Sequence, residues 1–213
     1  MKRIAAIALG VGVAATAAVG AAAAPNRTLS IGASPNPVVF GHTTVISGQL
    51  TGSRPNGRTV SLRADPFPYD HFTQVATATT DSGGRYTFAQ TPTVNTRYQT
   101  RSTQGTMSPI LTELVRLRVS LRVSDSTPRI GQRVRFFGRA CPANNGGLVK
   151  IQRFTRAHRW RTVGLTHLVA STGGCSKYSK RLRVFHSGLI RTVAAADPAH
   201  ARGISRSKRL TVH

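Results

Sequence analysis

The sequence predicts an all-β protein made of two tandem antiparallel Greek-key β-sandwiches that follow an N-terminal export signal. Short segments rich in Val, Thr and Arg alternate with turn-forming clusters, and no long segment has apolar residues at helical spacing. The second half of the chain also repeats the first at an offset near 90 residues. A basic start followed by a long apolar run supplies the export signal.

Residues 1–24 have the pattern of a secretory signal peptide. Lys2 and Arg3 precede an unbroken run of small and apolar residues from Ile4 to Ala24, which ends in an Ala-x-Ala pattern. The run is long enough to span a bilayer, so a retained membrane anchor is the alternative. The glycines and alanines favour cleavage. We therefore expect a secreted or cell-envelope-associated protein with no membrane span after cleavage.

The internal repeat divides the remaining chain into residues 27–116 and 117–213. SIGASPNPVVFGHTTVISGQL aligns with SLRVSDSTPRIGQRVRFFGRA, which places Ser30 on Ser120, Gly41 on Gly131 and Gly48 on Gly138. Each copy holds about seven short strands separated by Pro, Asn, Asp and Gly clusters, as in a Greek-key sandwich. Between Ile110 and Val123 there is no proline or glycine, so we expect a short, rigid connection near Val115–Arg118.

Several short motifs stand out in the two copies: NPVVFG followed by VISGQL, and DSGGRYTF, in the first, and IGQRVRFFGRA and HRWRTV in the second. In these motifs the chain resembles the bacterial immunoglobulin-like repeat proteins that actinobacteria export. The resemblance implies that both copies are immunoglobulin-like β-sandwiches. It implies little about function, because such repeats serve as spacers, adhesins and enzyme accessories.

The positive charge is concentrated in the second copy. Apart from Lys2 and Arg3 of the leader, eight basic residues and four acids lie between Pro25 and Arg116, a net charge of +4, whereas twenty basic residues and two acids lie from Leu117 onward, a net charge of +18. This asymmetry indicates an anionic partner for the second copy. The alternative is genome composition, since 25 of the 30 basic residues are Arg. That bias explains Arg over Lys but leaves the scarcity of acids unexplained.

Arginines alternate along the segment RVRFFGRA. A strand's pleat places Val134, Phe136 and Gly138 on one face and the arginines on the other. The first, second and fifth strands of an immunoglobulin-like sandwich share a sheet, which predicts one arginine-rich outer face. Its members are Arg118, Arg122, Arg133, Arg135, Arg139, Arg181 and Arg183.

This predicted face is a candidate anion-binding surface, and a merely solvated face is the alternative. Like charges opposite each other across strands are destabilising, by roughly 0.2–1 kcal/mol for each pair. The expected partners are anionic polysaccharide, teichoic-type cell-wall polymer, anionic lipid head groups or extracellular DNA. Sequence-specific nucleic-acid binding is not expected, because the chain has no helix-turn-helix, zinc-finger or RNA-binding signature.

Cys141 and Cys175 are the only cysteines, and in an exported chain such a pair is most simply a disulfide. It would join the end of the second strand to the loop at Gly173. A metal site that includes His167 or His186 is the alternative, but the spacings match no zinc motif.

No catalytic, cofactor-binding or metal-binding residues are expected. The chain lacks HExxH, the Gly-x-Ser-x-Gly elbow and a phosphate-binding glycine loop, so we expect a non-enzymatic protein. Asp65 and Asp70 are the nearest approach to a carboxylate pair, and they bracket a loop of prolines and aromatics.

Two further functions stay open at this point. One is a purely structural or protein-binding module pair, with Phe67, Tyr69 and Phe72 as the candidate loop contact for a protein partner. These aromatics could equally pack over the end of their own sandwich. The other is an accessory or inhibitor of a secreted enzyme.

Overall fold

The computed structural model describes residues 26–213, so the predicted signal peptide, residues 1–24, lies outside the described residues. Every regular element from 26 to 213 is a β-strand, which confirms the all-β prediction. Over the same range no helix has the length and apolarity needed to cross a membrane.

Nineteen strands follow one another along residues 26–213. The N-terminal half, residues 26–116, contains β1 (Gly32–Ser34), β2 (Val38–Val39), β3 (Thr44–Gln49), β4 (Thr59–Pro66), β5 (Thr73–Thr79), β6 (Arg85–Gln90), β7 (Thr96–Ser102), β8 (Leu111–Glu113) and β9 (Val115–Arg116). The C-terminal half, residues 117–213, contains β10 (Arg118–Val119), β11 (Arg122–Val123), β12 (Arg133–Cys141), β13 (Leu148–Phe154), β14 (Trp160–His167), β15 (Val169–Ala170), β16 (Ser176–Arg183), β17 (Gly188–Ala194), β18 (Gly203–Ile204) and β19 (Lys208–Leu210).

The N-terminal half is built from two antiparallel sheets and a short parallel pair. One sheet has the order β1-β3-β6 and the other the order β5-β4-β7-β8, while β2 pairs in parallel with β9. Alternate side chains of both sheets, among them Ile46, Leu62 and Phe88, form one continuous buried cluster. This alternation follows from the period-2 pleat that the sequence displays.

The C-terminal half repeats this plan with additional short strands. Its first sheet has the order β10-β12-β16-β15, with β11 also on β12, and its second has the order β14-β13-β17-β18, with β19 on β17. Its core consists of two separate clusters, one around Leu117 and Tyr178 and the other around Phe136 and Leu210.

A buried tyrosine joins the two sheets of the C-terminal half. The hydroxyl of Tyr178 on β16 donates to the carbonyl of Ser120 at 2.7 Å and pairs with the Thr192 hydroxyl on β17 at 2.8 Å. Burial raises the pKa of Tyr178 to about 12, so the hydroxyl keeps its proton. Gly138 lies beneath it, where a Cβ atom would come within 2.1 Å of the Ser120 oxygen.

The N-terminal half contains the same arrangement. The Tyr86 hydroxyl bonds the Ser30 carbonyl and, at 2.8 Å, the Thr100 hydroxyl. Here Gly48 lies beneath the tyrosine, and a Cβ atom on it would meet the Ser30 oxygen at 2.0 Å. The glycine and serine positions that the sequence alignment paired are therefore equivalent in three dimensions.

The two halves meet without an intervening linker. Leu117 alone separates β9 from β10, and its amide donates to the carbonyl of Ala201. His200 is buried beside this contact, with Nδ1 2.9 Å from an Asp197 carboxylate oxygen and Nε2 3.0 Å from the Thr93 carbonyl of the N-terminal half. This role of His200 is not apparent from the sequence, because Thr93 lies 107 residues away along the chain.

The close approach at the two glycines predicts a specific instability. Replacing Gly138 or Gly48 with Ala forces the neighbouring carbonyl to move, and we expect each change to lower the free energy of unfolding by about 1–3 kcal/mol. Urea denaturation of each variant measures the loss. The matched control is Gly32→Ala on β1, where the nearest atom to an added Cβ is 3.9 Å away and a change within about 0.5 kcal/mol is expected. Equal losses at Gly32 and Gly138 would contradict the account.

Candidate anion-binding face

Strand β12 forms the centre of the arginine-rich surface. Arg133 lies directly opposite Arg183 on β16, and Arg135 lies opposite Arg181. Val134 and Phe136, which alternate with Arg133 and Arg135 along β12, are buried, as the pleat predicts. All seven arginines singled out in the sequence are exposed and belong to this one sheet, hereafter the arginine face: Arg118, Arg122, Arg133, Arg135, Arg139, Arg181 and Arg183.

The arginine face includes one basic residue that sequence reasoning missed. Lys177 is exposed on β16 and lies directly opposite Arg139. A signal for it was present, because Lys177, Ser179, Arg181 and Arg183 follow one another at intervals of two residues and therefore share a face.

No acid compensates the arginine face. Within residues 26–213 the only basic and acidic side chains whose nitrogen and oxygen atoms lie within 4 Å of each other are those of His200 and Asp197. Asp125, one of the two acids in the C-terminal half, instead accepts hydrogen bonds from the Thr127 amide and the Gln132 side chain. The cross-strand arginine pairs, with Cα atoms about 4.5–5.5 Å apart in an antiparallel ladder, therefore repel each other with screening by salt alone.

The arginine face is contoured rather than flat. A depression of about 640 Å³ lies along Phe137 and Lys177, with Val169 and Ser171 near β15 as its wall. A second depression, of about 420 Å³, lies beside the disulfide. The arginines that line one or both depressions are Arg118, Arg122, Arg135 and Arg139.

A disulfide shapes the second depression. Cys141 at the end of β12 is bonded to Cys175 just before β16, in agreement with the sequence prediction. The Arg139 guanidinium donates to the Thr172 carbonyl in the loop that this bond secures. With both thiols in the disulfide, the alternative metal site at His167 or His186 has no thiolate. Among residues 26–213 no group of three or more His, Cys, Asp or Glu side chains is arranged to hold a metal ion.

An aromatic ring interrupts the arginine row. Phe137 is half-buried on the outer side of β12, and the guanidinium carbon of Arg135 lies 4.3 Å from its ring centroid. A cation–π contact of this kind stabilises the pair by about 0.5–1 kcal/mol at an exposed site. The ring thus holds one arginine in place and adds an apolar area to a cationic surface.

The other candidate contact, the aromatic loop after β4, packs against its own half. Phe67, Tyr69 and Phe72 are each half-buried. The Arg97 guanidinium lies 4.1 Å from the centroid of the Tyr69 ring, and that of Arg63 lies 5.6 Å from that of Phe72. The structure therefore places the rings of Tyr69 and Phe72 against arginine side chains of β7 and β4, while Phe67 packs edge-on against Tyr69.

A carboxyl group with a raised pKa, that of Glu113, lies away from the arginine face. Glu113 is fully buried on β8, where its Oε1 accepts a hydrogen bond from the Val38 amide at 3.0 Å. Burial raises the pKa of Glu113 to about 7, and the bond from Val38 opposes part of that shift. Raised carboxyl pKa values often mark acid–base sites, but Glu113 has no exposed surface from which to reach a substrate. Of the two acids that bracket the aromatic loop, Asp65 is buried and Asp70 is exposed.

Comparison with known proteins identifies no family. No protein-family model matches the chain, and no curated protein matches it. Among solved structures, the adhesin InvE of Yersinia pseudotuberculosis matches with a TM-score of 0.33 and 13% sequence identity, over 88% of this chain and 58% of the adhesin chain. This chain thus spans less than two thirds of that adhesin. A TM-score of this size supports no conclusion about function.

The raised pKa of Glu113 predicts a pH-dependent stability. The Glu113 carboxyl keeps its proton up to a pH of about 7 in the folded protein, whereas it loses the proton near pH 4.5 in the unfolded chain. The free energy of unfolding therefore falls as the pH rises between these two values. We expect Glu113→Gln to raise the free energy of unfolding by roughly 1–3 kcal/mol at pH 8 and by much less at pH 4. Urea midpoints at the two pH values measure the difference. A gain of equal size at both would rule out proton linkage at Glu113.

Proposed function

We propose that the chain is an exported, non-enzymatic protein of two tandem immunoglobulin-like sandwiches that associates with anionic cell-envelope or extracellular polymers through the arginine face. Export is supported by the leader pattern of residues 1–24 and by the Cys141–Cys175 disulfide, a bond typical of oxidising compartments. The observation that carries the binding proposal is the set of directly opposed arginine pairs on one sheet without a neighbouring carboxylate.

The strand orders support the immunoglobulin-like part of the proposal. In each half, the first long strand and the strand that carries the buried tyrosine share one sheet, and the remaining long strands form the other. That division, with connections that pass from one sheet to the other, is the one expected of a Greek-key sandwich. The tyrosine, serine and glycine arrangement present in both halves supports the tandem repeat.

The N-terminal half has the same strand pairing without the arginine pairs, which indicates that the fold itself does not need them. On its equivalent sheet, Val45 of β3 lies opposite Ala89 of β6, at the place of the Arg135–Arg181 pair. The same strand pairing therefore forms with neutral side chains. Because the charged version costs stability through cross-strand repulsion, a benefit outside the fold is the better explanation for its presence.

The dimensions of the arginine face favour a polymer over a small anion. From Arg133 to Arg139 the strand extends about 20 Å, with outward residues about 7 Å apart, and β16 adds a parallel row of charges. A chain of repeated anionic groups would contact several arginines at once, whereas a single small anion would meet one or two. Anionic polysaccharide and teichoic-type polymer fit this description in an exported setting, and DNA would bind through its phosphates without regard to sequence.

The alternative function, a structural or protein-binding pair with no polyanion ligand, has less support. Its candidate contact residues Phe67, Tyr69 and Phe72 are half-buried, and Tyr69 and Phe72 are each covered by an arginine of their own half. Under this alternative, charge alone would govern any binding of polyanions, and its location on the molecule would not matter. That difference provides the test.

Two triple variants of equal net charge separate the alternatives. We expect Arg133→Ser, Arg135→Ser and Arg183→Ser together to weaken binding to heparin, teichoic acid and duplex DNA by tenfold or more at physiological ionic strength. For DNA, the slope of log K against the logarithm of the salt concentration should become shallower by about three, or about one for each lost phosphate contact. Titrations at increasing sodium chloride measure both quantities.

The control variant carries Arg54→Ser, Arg85→Ser and Arg101→Ser, three exposed positions of the N-terminal half. It loses the same charge and should keep both the affinity and its salt dependence nearly unchanged. Equal losses in the two variants would show that binding follows net charge, and the arginine face would then be only a solvated surface.

A further inference from the structure

The two halves have different kinds of side chain at one equivalent inward-facing strand position. Because Tyr86 and Tyr178 are equivalent, the inward positions two residues later, Phe88 and Lys180, are equivalent as well. Phe88 is 6% exposed and belongs to the single core cluster of its half. Lys180 lies opposite Phe136 in the strand ladder but is exposed, so its side chain leaves the core.

A cavity accompanies this difference in the C-terminal half. The core there is divided into two clusters, and an opening of about 300 Å³ leads down to the second cluster. Its floor is formed by four buried apolar side chains: Phe136, Val184, Ile190 and Leu210. The opening is continuous with solvent, so an apolar group that enters it leaves water and gains contact with apolar side chains, which is favourable.

The mouth of the cavity is basic. It opens between β14, an edge strand, and the end of β16 that no further strand covers. The charged or titratable residues that line it are Arg153, Arg161, Arg183 and His186, and no carboxylate is among the lining residues. An apolar floor below a cationic rim suits a ligand with a hydrocarbon tail and an anionic head.

We propose that this cavity binds one acyl chain whose head group is a carboxylate or a phosphate. The chain enters between β14 and β16 and contacts the apolar floor, while the head group remains at the mouth with Arg153, Arg161 and Arg183. The site goes beyond the proposed polymer binding, since it uses the interior between the sheets rather than the outer face, and Arg183 is the one residue common to both.

The volume limits the length of the chain. A cavity of 150 Å³ holds benzene, so about 300 Å³ accommodates roughly ten carbon atoms by the same measure. Each methylene that leaves water strengthens binding about fourfold. Affinity should therefore rise steeply with chain length up to about ten carbons and then level off.

Calorimetric titration of the full-length mature protein with hexanoate, octanoate, decanoate and dodecanoate tests the proposal. We expect one site per chain, an increase of about fourfold per methylene up to decanoate, and little further gain at dodecanoate. Decanol and decyltrimethylammonium serve as probes without the negative charge and should bind at least tenfold more weakly than decanoate.

Variants at the mouth locate the binding. Thr162 is an exposed lining residue of β14, and Thr162→Trp should block entry and abolish decanoate binding. Arg161→Ser should weaken binding about tenfold without filling the cavity, which keeps the test valid if the tryptophan variant misfolds. Arg159→Ser, on the same hairpin but outside the lining, is the matched control and should bind normally. Arg133→Ser with Arg135→Ser, which weakens the arginine face, should also leave decanoate binding intact.

The source of the acyl chain is decided with phosphatidylglycerol and phosphatidylcholine vesicles. If the protein floats with phosphatidylglycerol vesicles and Thr162→Trp abolishes this flotation, the site binds membrane lipid. If the protein binds decanoate but shows no such flotation, the site binds free fatty acid. Equal affinity for decanol and decanoate, no dependence on chain length, or wild-type binding by both Thr162→Trp and Arg161→Ser would overturn the proposal.

Discussion

The buried tyrosine hydroxyl in each half constrains the remainder of the structure. Tyr178 is hydrogen-bonded to a backbone carbonyl of the first sheet's edge and to a threonine of the facing sheet, and it fits there because Gly138 leaves room for it. Since side chains alternate along a strand, a slip of one residue would turn this hydroxyl out and bury the arginines. The same bond that fastens the two sheets thus commits every arginine of β12 and β16 to the outside.

One scaffold therefore carries two different surfaces. In the N-terminal half the equivalent sheet carries one charged residue, Arg85, and the core is continuous, whereas the C-terminal half has a crowded cationic sheet and a divided core. The arginine pairs cost stability in the isolated protein, and the disulfide between Cys141 and Cys175 adds about 3–4 kcal/mol by the loop-entropy estimate. We interpret this half as the one specialised for binding, held in place by the hydrogen bonds at Ala201 and His200.

The features predictable from the sequence were those that depend on short-range periodicity. Alternation along RVRFFGRA identified the exposed arginines, the repeat at an offset of 90 paired Gly48 with Gly138, and an isolated cysteine pair indicated the disulfide. The features that were missed depend on contacts between distant segments. The partners of His200 lie on both halves, and the burial of Glu113 depends on β2. The cavity is lined by residues of six strands, β12, β13, β14, β16, β17 and β19. The contacts of Tyr69 with Arg97 and of Phe72 with Arg63 likewise depend on where β7 and β4 lie in the fold.

Under the proposed function, anionic polymers contact the arginine face and no other part of the protein. Arginine-labelled protein observed by nuclear magnetic resonance tests it directly, because each guanidinium Nε–H group gives its own signal. On titration with a short heparin oligosaccharide, we expect changes confined to the seven arginines of the face, with the eight arginines of the N-terminal half unaffected. Changes of similar size in both halves would contradict it and would reduce the arginine face to one part of a generally cationic surface.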